Sequence, residues 1–301
     1  MNVCDPLISE LLARGPFVRT GAPFCLVSVA GPDAADFLQR LCSQDVRGLA
    51  EGVVAPATFL DSKGKVLVTC LVQRLAEVFH IEVQAHQADR LVQLCQRYHF
   101  SEKLTIGVPS PAAGCSEWIA RSGTPEPLPL HAMRFAWTRY GVAFVRCHVA
   151  DAALAPNLQG SALDVDLADC FRMAAGIVKV GVDTEATTLA LEADLDDHCS
   201  TTKGCYTGQE IIARVHTYGH TNRALCLLDL VEGPRLDAPV VLHECEDDLQ
   251  VGRVMAAVPV PQHARRRGLG YLPKDFQAPG TKLTLEGGGD VVVIAAFASG
   301  R

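Results

Sequence analysis

The stretch Lys203-Gly204-Cys205-Tyr206-Thr207-Gly208-Gln209-Glu210, continued by Ile211-Ile212-Ala213-Arg214, decides how this chain is read. Thr207 and Glu210 stand at capping-box spacing, which predicts Thr207 as the N-cap of a helix that buries Ile211, Ile212 and Val215. Cys205 then lies just before a helix N-terminus, where backbone N–H groups and the helix dipole favour an anion. Lys203 is two residues away, and Gly204 permits a tight turn. A helix end beside a cation is the environment that makes a thiol reactive. The competing reading is a buried thiol in a well-capped turn. Of the twelve cysteines, Cys205 is the one this pattern marks as reactive, with Lys203 as its cationic neighbour.

Around this stretch, Cys199, Cys205, His216 and His220 superficially resemble a zinc module. Zinc modules keep two to four residues between the cysteines, whereas five separate Cys199 from Cys205, and a helix is expected in the next interval. Structural zinc is therefore not expected. Cys25, Cys70, Cys95, Cys147 and Cys226 interrupt apolar runs, where a reduced thiol acts as a small hydrophobe. No Cys-x-x-Cys occurs, so these read as core residues in a reducing compartment.

Further outward, residues 24–29 read as a buried strand, and Gly31-Pro32-Asp33 opens a helix carrying Phe37, Leu38 and Leu41. Strands are expected at 57–60, 65–72 and 78–83, the first two joined by a turn at Asp61-Ser62-Lys63-Gly64. A helix at 88–98 and a strand at 103–108 complete a β-α-β-β-β-α-β order, a ferredoxin-like pattern with an extra strand. Prolines 109, 111, 125, 127 and 129 mark a junction. A second unit follows, with a strand at 141–149 and helices at 167–175 and 208–215. Beyond Thr221 only short strands are expected, six in all, as in a small barrel. The expected domains are 1–108, 109–221 and 222–301.

The 301 residues are 49% hydrophobic and 20% charged, as in globular proteins with real cores. A net charge of −7 argues against a nucleic-acid binder, whose affinity comes from neutralising phosphates. Arg265-Arg266-Arg267, the lone basic triplet, reads as solvated at a loop edge. No stretch approaches the ~20 apolar residues of a membrane span. Met1 to Glu10 carries acids and no leader pattern, so cytoplasm is the expected location and no membrane partner is expected.

The octapeptide at 203–210 resembles the signature of the YgfZ-type folate-binding proteins, relatives of the glycine-cleavage T-protein that serve iron–sulfur cluster proteins. Arg172-Met173-Ala174-Ala175-Gly176-Ile177 resembles the family's Arg-Ile-Glu-Ala-Gly segment, and Leu191-Glu192-Ala193-Asp194-Leu195 its Pro-x-Glu-x-x-Leu approach. Asp61 to Lys65 resembles its Gly-rich hairpin, and Arg97 to Lys103 a Lys-Tyr-x-x-x-x-Lys helix end.

The resemblance implies an α+β, T-protein-like fold: ferredoxin-like α/β units around a central hole, plus a small six-stranded β-barrel-like C-terminal domain. It implies tetrahydrofolate as cofactor, with Arg172, Glu192, Tyr206, Gln209 and Glu210 turned toward it. It also implies iron–sulfur assembly or client proteins as partners, with Cys205 as one ligand of a transient shared cluster. Two departures stand out. Aminomethyltransferases of this fold carry an aspartate where this chain has Val68 and Thr69, which weighs against general-base work there. The family's glutamate in the Arg-Ile-Glu-Ala-Gly segment is Ala174 here. The expected function is a folate-binding accessory factor for iron–sulfur proteins, against a folate-dependent one-carbon transferase or a non-catalytic folate-binding regulator.

Overall fold

The computed structural model describes residues 5–110, 114–125, 132–219, 221–245 and 249–297. Asp5 caps the first helix, α1 (Pro6–Ala13), accepting from the Leu7 amide at 3.0 Å, and β1 (Phe17–Thr20) follows. Alternation then builds the first sheet. In β2 (Phe24–Ala30), Cys25, Val27 and Val29 are buried and their neighbours are not, so one face meets helices. The helices are α2 (Ala34–Leu41) and α3 (Ala88–Tyr98), whose Phe37, Leu38, Leu91 and Cys95 share a core with that face. Each fully buried Phe or Leu there contributes about 1.5–3 kcal/mol.

Strands β3 (Val54–Leu60), β4 (Val66–Leu75), β5 (Val78–Gln84) and β6 (Thr105–Ile106) complete this sheet in the order β3-β4-β5-β2-β6. The β3–β4 turn falls at the expected place: Asp61 Oδ1 accepts from Lys63 N and Lys65 N at 2.8 and 2.9 Å. The strand expected at 103–108 shrinks to two residues. Gly107 still donates to Ser28 O at 2.8 Å, but Pro109 lacks the N–H a longer ladder needs.

The second sheet holds β7 (Cys115–Ala120), β8 (Met133–Arg139), β9 (Val142–His148) and β10 (Ser161–Ala162), in the order β10-β1-β7-β9-β8. Its strand β1 comes from the N-terminal segment, which the domain bounds expected from sequence place in the first unit. Residues 17–20 pair with β7 because Phe17 stacks on Phe171 (ring centroids 5.2 Å apart) in the core beneath α4 (Val165–Ala174). With that exchange, we propose the three-domain division near residues 108 and 221.

Past α5 (Gln209–Tyr218), strands β11 (Arg223–Val231), β12 (Val240–Glu244), β13 (Gln250–Pro259), β14 (Arg265–Pro273), β15 (Lys282–Leu285) and β16 (Asp290–Ala296) close into a barrel. The arginine triplet is not solvated at a loop edge. It opens β14, where Arg267 is buried on Asp5 and Asp229, Arg265 pairs with Asp229, and Arg266 donates to the carbonyls of Val231 and Pro234. Arg267 thereby ties the α1 cap to the barrel. No helix among the described residues is long and apolar enough to cross a membrane.

Candidate functional site: a central cavity and a cysteine loop

The helix-free faces of the two α/β sheets look toward each other. On β5, Phe79, Ile81 and Val83 enter the helix-side core, so Glu82 and Gln84 point the other way. They meet Arg146 of β9, which pairs with Glu82 and with Glu117 and lies over the Phe24 ring, 3.7 Å from its centroid. Burial alone would raise the Glu82 carboxyl, but Arg146 and the His148 ring (2.7 Å) hold it below the usual carboxylate range. These side chains border a partly open cavity between the two sheets. Its walls include Phe24 and Thr69 from the first sheet, Trp137 and Arg139 from the second, and Leu195 and His198 from the segment between α4 and α5.

Gln84 is the uncommitted group on this wall. Its amide nitrogen donates to Val178 O at 3.3 Å, while its buried Oε1 has no hydrogen-bond partner among the described residues. A buried carbonyl oxygen left without a donor costs about 1–3 kcal/mol, so a ligand N–H there would be rewarded.

Behind Arg139, Asp194 sits at positive φ (58°) with its carboxylate buried on that guanidinium (2.8 Å) and the Tyr140 hydroxyl (2.8 Å). Burial outweighs both partners and lifts its pKa to about 7. His198, seated edge-on to Trp137, is pushed below its ordinary value by burial, although Asp197 at 2.7 Å opposes this.

The cysteine loop hangs from this wall. Ser43 Oγ donates to His198 O at 2.6 Å, Ser200 N donates to Ser43 O at 2.9 Å, and Gln44 Nε2 donates to Asp197 O at 3.1 Å. Lys203 Nζ donates to the carbonyls of Cys42 and Gln44, each at 2.7 Å, with the Tyr206 ring 4.9 Å away. Burial lowers its pKa. Cys205 itself is exposed, and its sulfur has no hydrogen-bond partner among the described residues. Nine of the eleven described free cysteines are buried, so solvent reaches only Cys205 and Cys245.

Thr207 is not the helix cap. The N-cap of α5 is Gly208 at φ 83°, with no side-chain cap bond, and Glu210 is exposed. The cause is the close approach of the loop to the β3–β4 turn. A Cβ on Gly208 would lie 2.6 Å from Asp61 O, so the chain turns with a left-handed glycine there, whereas Gly204 faces open space.

No family model matches the chain. A chloroplastic protein of Arabidopsis thaliana named as a transferase is 33% identical over 95 residues, 32% of this chain and only 21% of that protein. An aminomethyltransferase of Acidobacterium capsulatum is 22% identical across 89% of this chain and 82% of its own length. The tRNA-modifying protein YgfZ of Serratia proteamaculans is 26% identical across 78% of each chain. The solved structure of the glycine cleavage system aminomethyltransferase T from Bartonella henselae superposes with a TM-score of 0.76 at 19% identity, covering 95% of this chain and 88% of that one. The chain is thus similar in sequence to YgfZ and to an aminomethyltransferase, and it shares the T-protein fold.

The residues singled out from sequence scatter over three places in this structure. Lys203, Cys205, Tyr206, Gln209 and Glu210 stay together in the loop and the start of α5. Tyr206 is buried, donating to Ser200 O at 3.2 Å, and Gln209 Nε2 reaches Lys203 O at 3.5 Å. Arg172 is buried in α4 on Asp169 (2.9 Å) and Asp183 (2.6 Å), off the wall described above. Glu192 faces the barrel junction instead, accepting from Arg223 at 3.1 Å. Of the zinc-like set, Cys199 is buried with its thiol pushed up to about 12 by burial, His216 lies 2.8 Å from Asp196, and His220 is outside the described residues. At the positions of the missing aspartate, Val68 is in the helix-side core and Thr69 faces the cavity. Sequence reasoning missed Glu82, Gln84, Arg139, Arg146 and His198. For Glu82 and Gln84 a signal existed: two polar residues alternate with buried ones on a central strand.

Proposed function

We propose that this chain binds tetrahydrofolate in the central cavity and uses Cys205 as an accessory thiol in the assembly or repair of iron–sulfur proteins. The observation that carries this reading is the shared anchoring of the two sites: the segment 196–203 forms part of the cavity wall at His198 and holds the exposed thiol seven residues later. The cavity suits a reduced pterin. It has aromatic walls in Phe24 and Trp137, the Glu82–Arg146 pair as a polar rim, and an acceptor on Gln84 that needs an N–H. When bound, tetrahydrofolate would supply a reduced ring able to carry a one-carbon unit.

One thiolate cannot hold a cluster alone, because such clusters take four protein ligands. Cys205 is therefore read as one donor at an interface shared with an assembly or client protein. One-carbon transfer of the T-protein kind is the weaker reading. A cavity-facing position on β4 is Thr69, and the carboxylate on the neighbouring strand β5, Glu82, is engaged by Arg146 and His148. Cytoplasm remains the proposed compartment, from the many buried reduced thiols.

The test is anaerobic incubation of the full chain with a cluster-donor protein, read by visible absorbance and iron analysis, with calorimetry of tetrahydrofolate alongside. Wild type should acquire iron and Cys205→Ala should not, while both bind tetrahydrofolate saturably. Equal iron acquisition by Cys205→Ala removes the thiol role, and absence of saturable binding removes the folate role.

A further inference from the structure

The turn at residues 42–44 carries two sets of bonds that run in different directions. Its three carbonyl oxygens all serve the cysteine loop. Cys42 O and Gln44 O accept from Lys203 Nζ, each at 2.7 Å, and Ser43 O accepts from Ser200 N at 2.9 Å. Its side chains serve the cavity wall instead: Gln44 Nε2 donates to Asp197 O at 3.1 Å and Ser43 Oγ to His198 O at 2.6 Å. Strand β3 fixes the turn between the two. Gln44 Nε2 also donates to Pro56 O at 2.9 Å, and Ser43 meets Thr58 twice, through its amide at 2.9 Å and its hydroxyl at 3.1 Å.

At the cavity end, this run of bonds converges on one atom. Arg139 and His198 both line the cavity, and both reach Oδ1 of Asp197, at 3.4 and 2.7 Å. A ligand that touches either side chain restrains Asp197, and with it the two carbonyls to which the turn is bonded. At the other end, Lys203 and Tyr206 are buried, whereas Gly204 and Cys205 between them are exposed. The position of the thiol is therefore set by the buried residues on either side of it.

We propose that Ser43 and Gln44 are positioning residues that couple the cavity to Cys205, so that a ring held against Arg139 and His198 fastens the cysteine loop and slows attack on its thiol. A ligand shifts such an equilibrium only through contacts that it makes better in one state than in the other. Here those contacts are to the two side chains that Asp197 gathers. The consequence is a thiol held back while the cavity is filled and released when it empties. This rests on the folate reading and adds to it a control of the thiol by the ring.

The test is iodoacetamide labelling of the full chain, mapped by peptide, under anaerobic conditions with and without saturating tetrahydrofolate, with calorimetry on the same samples. In wild type the ligand should slow labelling of Cys205 at least about fivefold. Cys245, the other exposed thiol, should label at the same rate with and without it. Gln44→Met and Asp197→Ala should each still bind tetrahydrofolate saturably and lose most of the difference at Cys205. Slowing of the wild-type size in either folded variant means that the ligand covers the thiol directly, and overturns the coupling. Equal slowing at Cys205 and Cys245 reports general stabilisation and also overturns it. Saturable binding to wild type without slowing overturns it but leaves the folate reading standing, whereas no binding removes both. The two substitutions cut the run at its loop end and its cavity end, so a folding failure in one leaves the other to decide.

Discussion

Lys203 donates its ammonium to the carbonyl oxygen of Gln44 at 2.7 Å, so the cation beside Cys205 in sequence is turned inward in space. Its role in this structure is to fasten the cysteine loop to the turn at residues 42–44. Lys203→Met should therefore destabilise the protein by about 2–3 kcal/mol, because charged hydrogen bonds to two buried carbonyls are lost. At fixed pH, iodoacetamide labelling of Cys205 should quicken as the loop loosens. Slower labelling with unchanged stability would restore the lysine to an activating role.

Gly208, and not Thr207, is the residue the turn before α5 requires. Gly208→Ala meets Asp61 O at 2.6 Å as well as a left-handed backbone, and should cost about 1–3 kcal/mol. Thr207→Ala should fall within about 0.5 kcal/mol of wild type, since no cap bond is lost. Chemical denaturation of the two variants side by side checks the assignment. A larger loss at Thr207 than at Gly208 would reverse it.

Local periodicity made much of the fold legible. The α3 helix begins and ends where the 3.6-residue pattern puts it, and the six short strands after Thr221 do close into a barrel. What stayed hidden depends on distant partners. Arg267 reads as a solvated charge until Asp5, 262 positions away, is placed beside it. Glu82 and Gln84 occupy the polar phase of an alternating strand, which a single sequence reads as facing water. Only the second sheet, brought opposite by tertiary packing, makes that face a cavity wall. The cysteine loop was legible as a unit, but the direction of the Lys203 side chain was not, because its acceptors lie some 160 residues away.

Arg172 was expected at the folate, yet its guanidinium is spent on Asp169, Asp183 and the Ile177 carbonyl. Truncation would leave the buried Asp183 carboxylate with the Lys179 backbone amide and no charged partner among the described residues, and would take one of three cations from Asp169. Arg172→Ala should therefore lower stability by about 3–5 kcal/mol. Any change in tetrahydrofolate affinity should track the folded fraction. Calorimetry on a thermally stabilised background separates the two: weakened binding in a fully folded variant would reinstate Arg172 as a ligand contact.

The final expectation concerns Asp194 and pH. Its carboxyl titrates at about 7 in the folded chain because burial outweighs Arg139 and Tyr140, against an unfolded value of 3.8. Between those two values the folded state binds more protons than the unfolded state, so this group makes stability fall as pH rises from about 4 to about 7, by at most about 1.4 kcal/mol per pH unit. Below the unfolded value both states are protonated, and above the folded value both are ionised, so its contribution is flat outside that window. Asp194→Asn removes the titration and keeps a residue that tolerates positive φ. It should flatten the stability profile between pH 4 and 7 relative to wild type, as measured by urea denaturation across that range. The wall around Arg139 and His198 is the part that should respond, since Arg139 joins Asp194 to Asp197 and His198 is bonded to Asp197. A profile of identical slope in both proteins would show that Asp194 ionises at its ordinary value and that Arg139 and Tyr140 suffice to hold its charge.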